Sequence, residues 1–298
     1  MIVIAKRAKP VSSAIANTSF RPMYDFLTSV KRFCMRRKIG KVLQPYTASS
    51  MNYWLYPQLT YDAVKIYPLL LDTLIELTLN TSSPLDMPSQ STEWGLQNST
   101  LTSELAEAFA RHGSDKSTSH DYHRVYADVL DSVGVNNRLR ILEIGIGTNN
   151  PGLVSTMGSS GKPGASLRGF RDILPQSQIY GADVDTEILF SEERISTGYV
   201  DQTNFESFSG LCVSLKQDQF DLIVDDGLHS ATANLASINF ALEHLSNNGV
   251  LVVEDIDETA LPLWRPIARI VASKHRCSFV KCKNSYVFIL YLGNTQGV

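Results

Sequence analysis

The spacing of apolar residues changes twice along the chain. Over 51–79 they recur every three or four positions, with Tyr53, Trp54, Tyr56, Tyr61 and Tyr67 leading into Leu69, Leu70, Leu71, Leu74, Ile75 and Leu77. That period predicts helices burying one face against the main sheet or a sister subunit. Residues 81–100 exchange apolar content for Ser, Thr, Pro and Asn, the composition of a linker or mobile loop. From Leu101 the helical period returns, through Leu105 and Phe109 to near Gly113, and again over 122–133. Short continuous apolar runs then predict strands at 140–144, 178–182, 199–200, 220–224 and 250–253. Helices are expected between and after them, at about 164–173, 231–245 and 263–273, the second stopping before Asn-Asn-Gly249. Strand–helix alternation of this kind calls for an α/β fold with a doubly wound, mostly parallel sheet. The last two runs, 277–281 and 286–291, flank the short turn Lys283-Asn-Ser285 and read as a hairpin, so the seventh strand runs antiparallel. The organisation expected is a basic arm, helical accessory region and linker over 1–100, then an α/β domain over 101–298.

Composition alters this picture little, and charge alters it more. A chain of 298 residues with 43% apolar and 19% charged positions has enough apolar residues for a full core. Net charge is only −3, yet residues 1–50 carry ten Lys and Arg against one acid, Asp25, leaving −12 on the remainder. An amphipathic helix with a cationic face fits 24–42. It reads as a solvated arm, as a surface for anionic membrane or another anionic partner, or as a transit segment. The basic residues lie outside the α/β domain and no Asn-Pro-Pro-Tyr motif follows the fourth strand, so nucleic acid is not an expected partner. Cys34, Cys212, Cys277 and Cys282 form no CxxC pair and follow no secretory leader, which fits reduced thiols in a cytoplasmic protein. The apolar stretch at 66–79 contains Asp72 and Glu76 and is too short to cross a bilayer.

The chemistry gathers around 140–150. A buried strand ends in Glu143-Ile-Gly145-Ile-Gly147, as when a parallel strand delivers its backbone to a ligand at the carboxyl edge of a sheet. Glu143 is out of place in a purely structural strand, because an unpaired buried carboxylate is costly. The second strand ends in Asp183, a two-oxygen acceptor suited to both hydroxyls of a ribose. Gly145 and Asp183 are 38 positions apart, against about 20 in a dinucleotide fingerprint. The surplus is the Gly-, Asn- and Pro-bearing stretch 148–166, a long loop over the ligand edge. Asp201 and Gln202 follow the third strand and suit an adenine edge. The fourth strand ends in Asp225-Asp226-Gly-Leu-His229, and the fifth in Glu254-Asp255-Ile-Asp257. Adjacent parallel strands would bring Asp226, Glu254 and Asp255 together, where they repel unless a cation or shared protons compensate. An oxygen-rich set of this kind suits Mg2+, or Mn2+ or Ca2+, rather than zinc.

Taken together these segments resemble the class I S-adenosylmethionine-dependent methyltransferases, whose parallel sheet also closes in a C-terminal hairpin. Within that class the chain resembles the metal-dependent sugar O-methyltransferases of macrolide and aminocoumarin pathways and relatives associated with surface glycans. The resemblance runs from about Arg111 to the C-terminus. It rests on His112-Gly-Ser-Asp-Lys116 with His120 and Tyr122, Leu142-Glu-Ile-Gly-Ile-Gly147, Gly161-Lys-Pro-Gly-Ala-Ser166-Leu-Arg168, Ile179-Tyr-Gly-Ala-Asp183, Asp201-Gln202, Asp225-Asp-Gly-Leu-His229 and Val253-Glu-Asp-Ile256. It implies S-adenosylmethionine bound by Ser114, Lys116, Glu143, Gly145, Gly147, Ser166, Asp183, Asp201, Gln202 and Asp225. It implies Mg2+ on Asp226, Glu254 and Asp255, with His229 as general base and Asp225 and Asp183 its rivals. Methyl transfer to a hydroxyl of a sugar or glycosylated small molecule is the expected reaction, carried by a catalytic set of His229, Asp226 and Asp225. Two alternatives stay open: a catechol-type or lipid-linked acceptor, and an inactive adaptor module. A homo-oligomer is compatible with either. Residues 1–100 match nothing in the family, and Leu228 stands where Ser is more usual before the histidine.

Overall fold

The structure, a computed structural model, describes residues 99–293 and part of 63–74. The expected cationic helix at 24–42, most of the aromatic region 51–79 and the linker up to Asn98 lie outside the described residues.

Two helices come first. Helix α1 (Thr100–His112) starts in a capping box between Ser99 and Thr102 and ends at Gly113, whose φ of 83° suits glycine. Helix α2 (Tyr122–Val133) buries Tyr122, Val125, Tyr126, Val129 and Leu130, one stripe at helical spacing. After them strand and helix alternate: β1 (Arg140–Ile144), α3 (Ala165–Ile173), β2 (Gln178–Asp183), β3 (Ser191–Glu192), β4 (Ile195–Tyr199), α4 (Ser207–Leu215), β5 (Phe220–Asp225), α5 (Ala231–His244), β6 (Leu245–Ile256), α6 (Leu261–Ala272), β7 (Arg276–Lys281) and β8 (Tyr286–Tyr291).

The strands form one sheet in the order β3-β4-β2-β1-β5-β6-β8-β7. Its centre is parallel, β6–β8 and β8–β7 are antiparallel, and the closing hairpin is present as expected. Three details differ from the apolar pattern. The third long strand is Ile195–Tyr199, not 199–200. Its partner β3 adds an eighth, two-residue antiparallel strand to the seven expected. Strand β6 begins at Leu245, so Asn-Asn-Gly249 lies inside a strand with a register shift opposite Phe220 and Leu222, rather than in a loop.

Alternation along the strands assigns the two faces. Ile141, Ile179, Leu222, Val224, Val250 and Val252 pack with α1, α2 and α3. Leu142, Ile144, Ile223, Leu251 and Val253 pack with α4, α5 and α6. The described positions of 63–74 are helical and join this second face, with Tyr67, Leu70 and Leu74 buried. Side chains hold that segment by its backbone: Thr232 donates to the Ala63 carbonyl and Asn239 to the Leu70 carbonyl, each at 3.0 Å. The chain leaves β1 for β2 and β4, then returns across it to β5 and β6. That reversal opens a crevice at the carboxyl ends of β1 and β5, where ligands of open α/β sheets bind.

Candidate active site

The glycine turn after β1 forms one wall of this crevice. Gly145 has φ 87° and donates to the Ala182 carbonyl at 2.8 Å. A Cβ there would collide with the backbone of Asp226 and Gly227, so this glycine serves the approach of two strand ends as much as any ligand. Gly147, φ 84°, lies beneath the Met157 side chain. The long loop from Thr148 folds back over the turn and is pinned there. Met157 donates to the Thr148 carbonyl at 2.8 Å, Ser155 Oγ to the Gly227 carbonyl at 3.0 Å, and Gly164 to the Ile146 carbonyl at 2.8 Å.

Two cavities open at the crevice and share Gly145, Gly147, Ser155 and Asp226. The first, about 240 Å³, is mostly apolar, with Leu153, Val154, Val200 and Leu228 beside Asp183, Asp201 and Gln202. Asp183 accepts from the Ile146 and Asp185 backbone N–H groups at 3.0 and 2.9 Å, and burial raises its pKa above the ordinary carboxylate value. Asp201 accepts from the Thr203 backbone and hydroxyl. Gln202 is spent on the protein: it donates to Asp225 at 2.8 Å and to Ser237 at 2.9 Å, and accepts from the Leu228 N–H at 2.8 Å.

The second cavity, about 580 Å³, is polar. Into it project Lys116, His120, Asp226, His229, Glu254 and Asp255. Consecutive residues of a strand normally face opposite ways. A register shift between Val253 and Ile256, with Asp255 at φ 53°, lets both Glu254 and Asp255 line this space. His229 has φ 54°, a second non-glycine residue in the left-handed region at the site. Its Nε2 lies 3.7 Å from Asp226 Oδ1 and 3.8 Å from Asp255 Oδ2. Asp226, His229 and Asp255 each turn one possible ligand atom inward, all within 4.8 Å of one another.

Beside them sits a buried ammonium. Lys116, 2% exposed, places Nζ 2.5 Å from Glu254 Oε2, 2.6 Å from Asp226 Oδ2 and 3.2 Å from Glu143 Oε1. Burial alone would lower the lysine pKa; the three carboxylates, Asp226 foremost, outweigh it and hold the value well above ordinary. Glu254 is pushed up by burial and by Asp226, against the pull of Lys116 and the Tyr126 hydroxyl that donates to it. Asp255 is half-buried, which by itself would raise its pKa, yet His229 and the Tyr122 hydroxyl, 2.7 Å away, leave it below ordinary.

The expected residues thus divide. Ser114, Gly145, Gly147, Ser166, Asp183, Asp201 and Gln202 line one or other cavity. Asp225 does not. It is fully buried, accepting from Gln202 and from Asn234 Nδ2 at 3.0 Å, so its expected contact with reacting atoms or cofactor gives way to anchoring the loop that carries Asp226 and His229. Glu143 is likewise fully buried behind the cavity wall, between Lys116 and the Ser166 hydroxyl at 2.6 Å. Lys116, expected to close over a cofactor, lies among the acids. Glu254, expected beside Asp226 and Asp255 as a ligand, faces Lys116 and Tyr126, and His229 takes its place in the convergent trio. Sequence reasoning assigned no role to Tyr122 and Tyr126. The signal was their hydroxyls on an otherwise apolar stripe of α2, which must find polar partners when buried. His120, stacked on Tyr122 and 3.5 Å from Asp255, was also left without a role.

Sheet order, the glycine turn and strand-end acids around a crevice define the class I methyltransferase fold. No family model matches the chain. Its sequence resembles sugar O-methyltransferases of antibiotic pathways. It is 26% identical over 161 residues to the 8-demethyl-8-alpha-L-rhamnosyl tetracenomycin-C 2'-O-methyltransferase of Streptomyces olivaceus, covering 54% of this chain and 40% of that one. It is 30% identical over 122 residues to the mycinamicin VI 2''-O-methyltransferase of Micromonospora griseorubida, covering 41% and 28%. The match therefore spans less than half of either relative. In three dimensions it matches the MycE methyltransferase of the mycinamycin pathway, a structure in complex with Mg and SAH. The TM-score is 0.52 at 22% identity, over 65% of this chain and 56% of that one.

Proposed function

We propose that the chain transfers a methyl group from S-adenosylmethionine to a hydroxyl of a sugar or glycosylated small molecule, with a divalent ion, Mg2+ first, at the carboxylate cluster. One observation carries this reading: an apolar cavity edged by strand-end acids opens directly beside a polar one in which two carboxylates and a histidine converge. The relatives' names point to the same acceptor chemistry.

The residues fit both groups. A nucleoside in the first cavity meets apolar walls at Leu153, Val200 and Leu228, with Asp183 and Asp201 as acceptors for hydroxyls and an amino group. The carboxylates of Asp226 and Asp255 supply the oxygen donors a hard divalent ion needs, and the His229 imidazole beside them is left for proton transfer. Bound S-adenosylmethionine supplies an electrophilic methyl carbon, and a bound divalent ion supplies Lewis acidity toward the acceptor hydroxyl. The chain's own contribution is placement and proton handling. His229 Nε2 faces the polar cavity and is the group to take the hydroxyl proton as the new C–O bond forms. Asp226 and Asp255 flank that ring and steady the charge it gains. Asp225, through Gln202 and Asn234, fixes the loop from which Asp226 and His229 project. Holding acceptor oxygen, methyl carbon and sulfur in line is the remaining work.

The test is calorimetry with S-adenosylhomocysteine, followed by methyl transfer to rhamnosylated or related glycosides with and without EDTA. Micromolar binding and EDTA-sensitive transfer are expected. No binding of S-adenosylhomocysteine removes the methyltransferase reading, and full activity in EDTA removes the metal.

A further inference from the structure

We infer that Lys116 is the site's built-in cation: it holds the carboxylates together before a divalent ion arrives, and it competes with that ion for Asp226 and Glu254. The inference rests on the metal site proposed above. Its ground is the way one ammonium is shared. One carboxylate balances the charge of a buried ammonium, and neutral acceptors can serve its other two N–H groups. Lys116 has three, Glu143, Asp226 and Glu254, at 2.5–3.2 Å, and Asp255 makes a fourth acid in the same cavity. One ammonium does not balance four ionised acids, so a further cation or a retained proton makes up the difference. Without the ammonium, the acids would repel one another in a buried place.

The geometry also says where the two cations meet. Asp226 gives Oδ2 to Lys116 and turns Oδ1 toward His229, so its carboxylate lies between the ammonium and the convergent trio. Glu254 gives Oε2 to Lys116 and Oε1 to Tyr126, so each of its oxygens already carries a donor. A divalent ion held by Asp226 and Asp255 would share one carboxylate with Lys116 and be repelled by it. If it recruits Glu254 through Oε2, it crowds the ammonium held there. In both cases Lys116 lowers the affinity for metal while stabilising the metal-free protein. It is a positioning residue for the cluster.

The experiment pairs Mn2+ titration, followed by electron paramagnetic resonance, with thermal melting in EDTA and in excess Mg2+. Lys116→Met keeps most of the aliphatic stem and removes the charge. It should bind Mn2+ roughly tenfold tighter than the parent, the scale of one charge removed beside a buried site. It should also melt lower in EDTA and gain more from Mg2+ than the parent does. Lys116→Arg keeps the charge and should not tighten Mn2+ binding. Lys116→Met with Glu254→Gln removes one charge of each sign and should recover melting in EDTA relative to Lys116→Met alone. If Lys116→Met folds only with Mg2+ present, competition stands. If it binds Mn2+ no tighter and gains no more from Mg2+ than the parent, or if the double variant fails to fold as well, the inference is overturned. If neither parent nor variant binds Mn2+, the metal reading falls and this inference with it, while S-adenosylhomocysteine titration still reports separately on the cofactor.

Discussion

The two ends of the central strands hold acids under opposite terms. At the amino end Asp221 is shared with nothing beyond its reach. Arg140 grips it through Nε at 3.0 Å, Nη2 at 2.9 Å and the backbone N–H at 2.8 Å, and Ser246 adds a fourth donor at 2.8 Å. One acid, one cation and a full set of donors make a closed structural unit. At the carboxyl end three acids crowd around one lysine with Asp255 beside them, two non-glycine residues sit at positive φ, and a strand bulges to turn consecutive acids the same way. Residue type alone does not distinguish these cases. What separates them is the balance of charge and donors, and the crowding at one end marks the site proposed for chemistry.

The sharpest way to break this comparison is to remove charge from the crowded end. Asp226→Asn keeps the shape and should abolish Mn2+ binding while lowering methyl transfer by about a thousandfold, the range for loss of a directly acting electrostatic group. Spin-resonance titration and initial rates measure both. Parent-like values would show that Asp226 is one more satisfied acid like Asp221. His229→Asn should follow with a loss in kcat of about a hundredfold or more, in the range for a general base, and little change in S-adenosylhomocysteine affinity. A variant that lost cofactor affinity and kept kcat would move His229 from proton transfer to scaffolding.

The same contrast explains what the sequence made legible. Strands β1, β2, β5 and β8 announce themselves because strands buried on both faces must be continuously apolar, whereas the edge strand β7 is marked by the short turn that follows it. Strand β4, Ile-Ser-Thr-Gly-Tyr, does not, because only Ile195 and Gly198 in it are buried and it pairs outward with two residues alone. The strand-end acids were readable as a set, and their mutual repulsion called for a compensating cation or shared protons. That Lys116 supplies part of that charge was not readable, since it meets Asp226 and Glu254 across 110 and 138 positions of chain. Asp225 and Asp226 are adjacent and chemically identical. Only the packing of Gln202 and Asn234 against the first makes one an anchor and leaves the other facing the cavity.

Between the two ends, Gly145 tests whether the turn is built for backbone approach. Gly145→Ala introduces a Cβ into the backbone of Asp226 and Gly227 at a φ that side chains disfavour. A loss of about 2–4 kcal/mol in denaturant unfolding is expected from the strain and the displaced strand ends. A neutral substitution would mean that the strand ends part easily and that the glycine serves only the ligand.

The smallest effect is expected at the amino end, and it carries a sign. Burial pushes the Asp221 carboxyl up, but the bonds from Arg140 and Ser246 outweigh it and leave the pKa below ordinary. A carboxyl whose pKa is lower folded than unfolded stabilises fully above its unfolded value, near pH 4, and loses that contribution as pH falls through the folded value. Asp221→Asn should therefore cost about 1–2 kcal/mol at neutral pH, the range for hydrogen bonds to a partly exposed charged group. The deficit should shrink as the medium is taken from about pH 5 to about pH 3, because the parent gives up the same interaction on protonation. A deficit that stayed constant over that interval would mean the pair contributes through shape and hydrogen bonding alone. The opposition between a charge-balanced end and a charge-crowded end would then have to be redrawn.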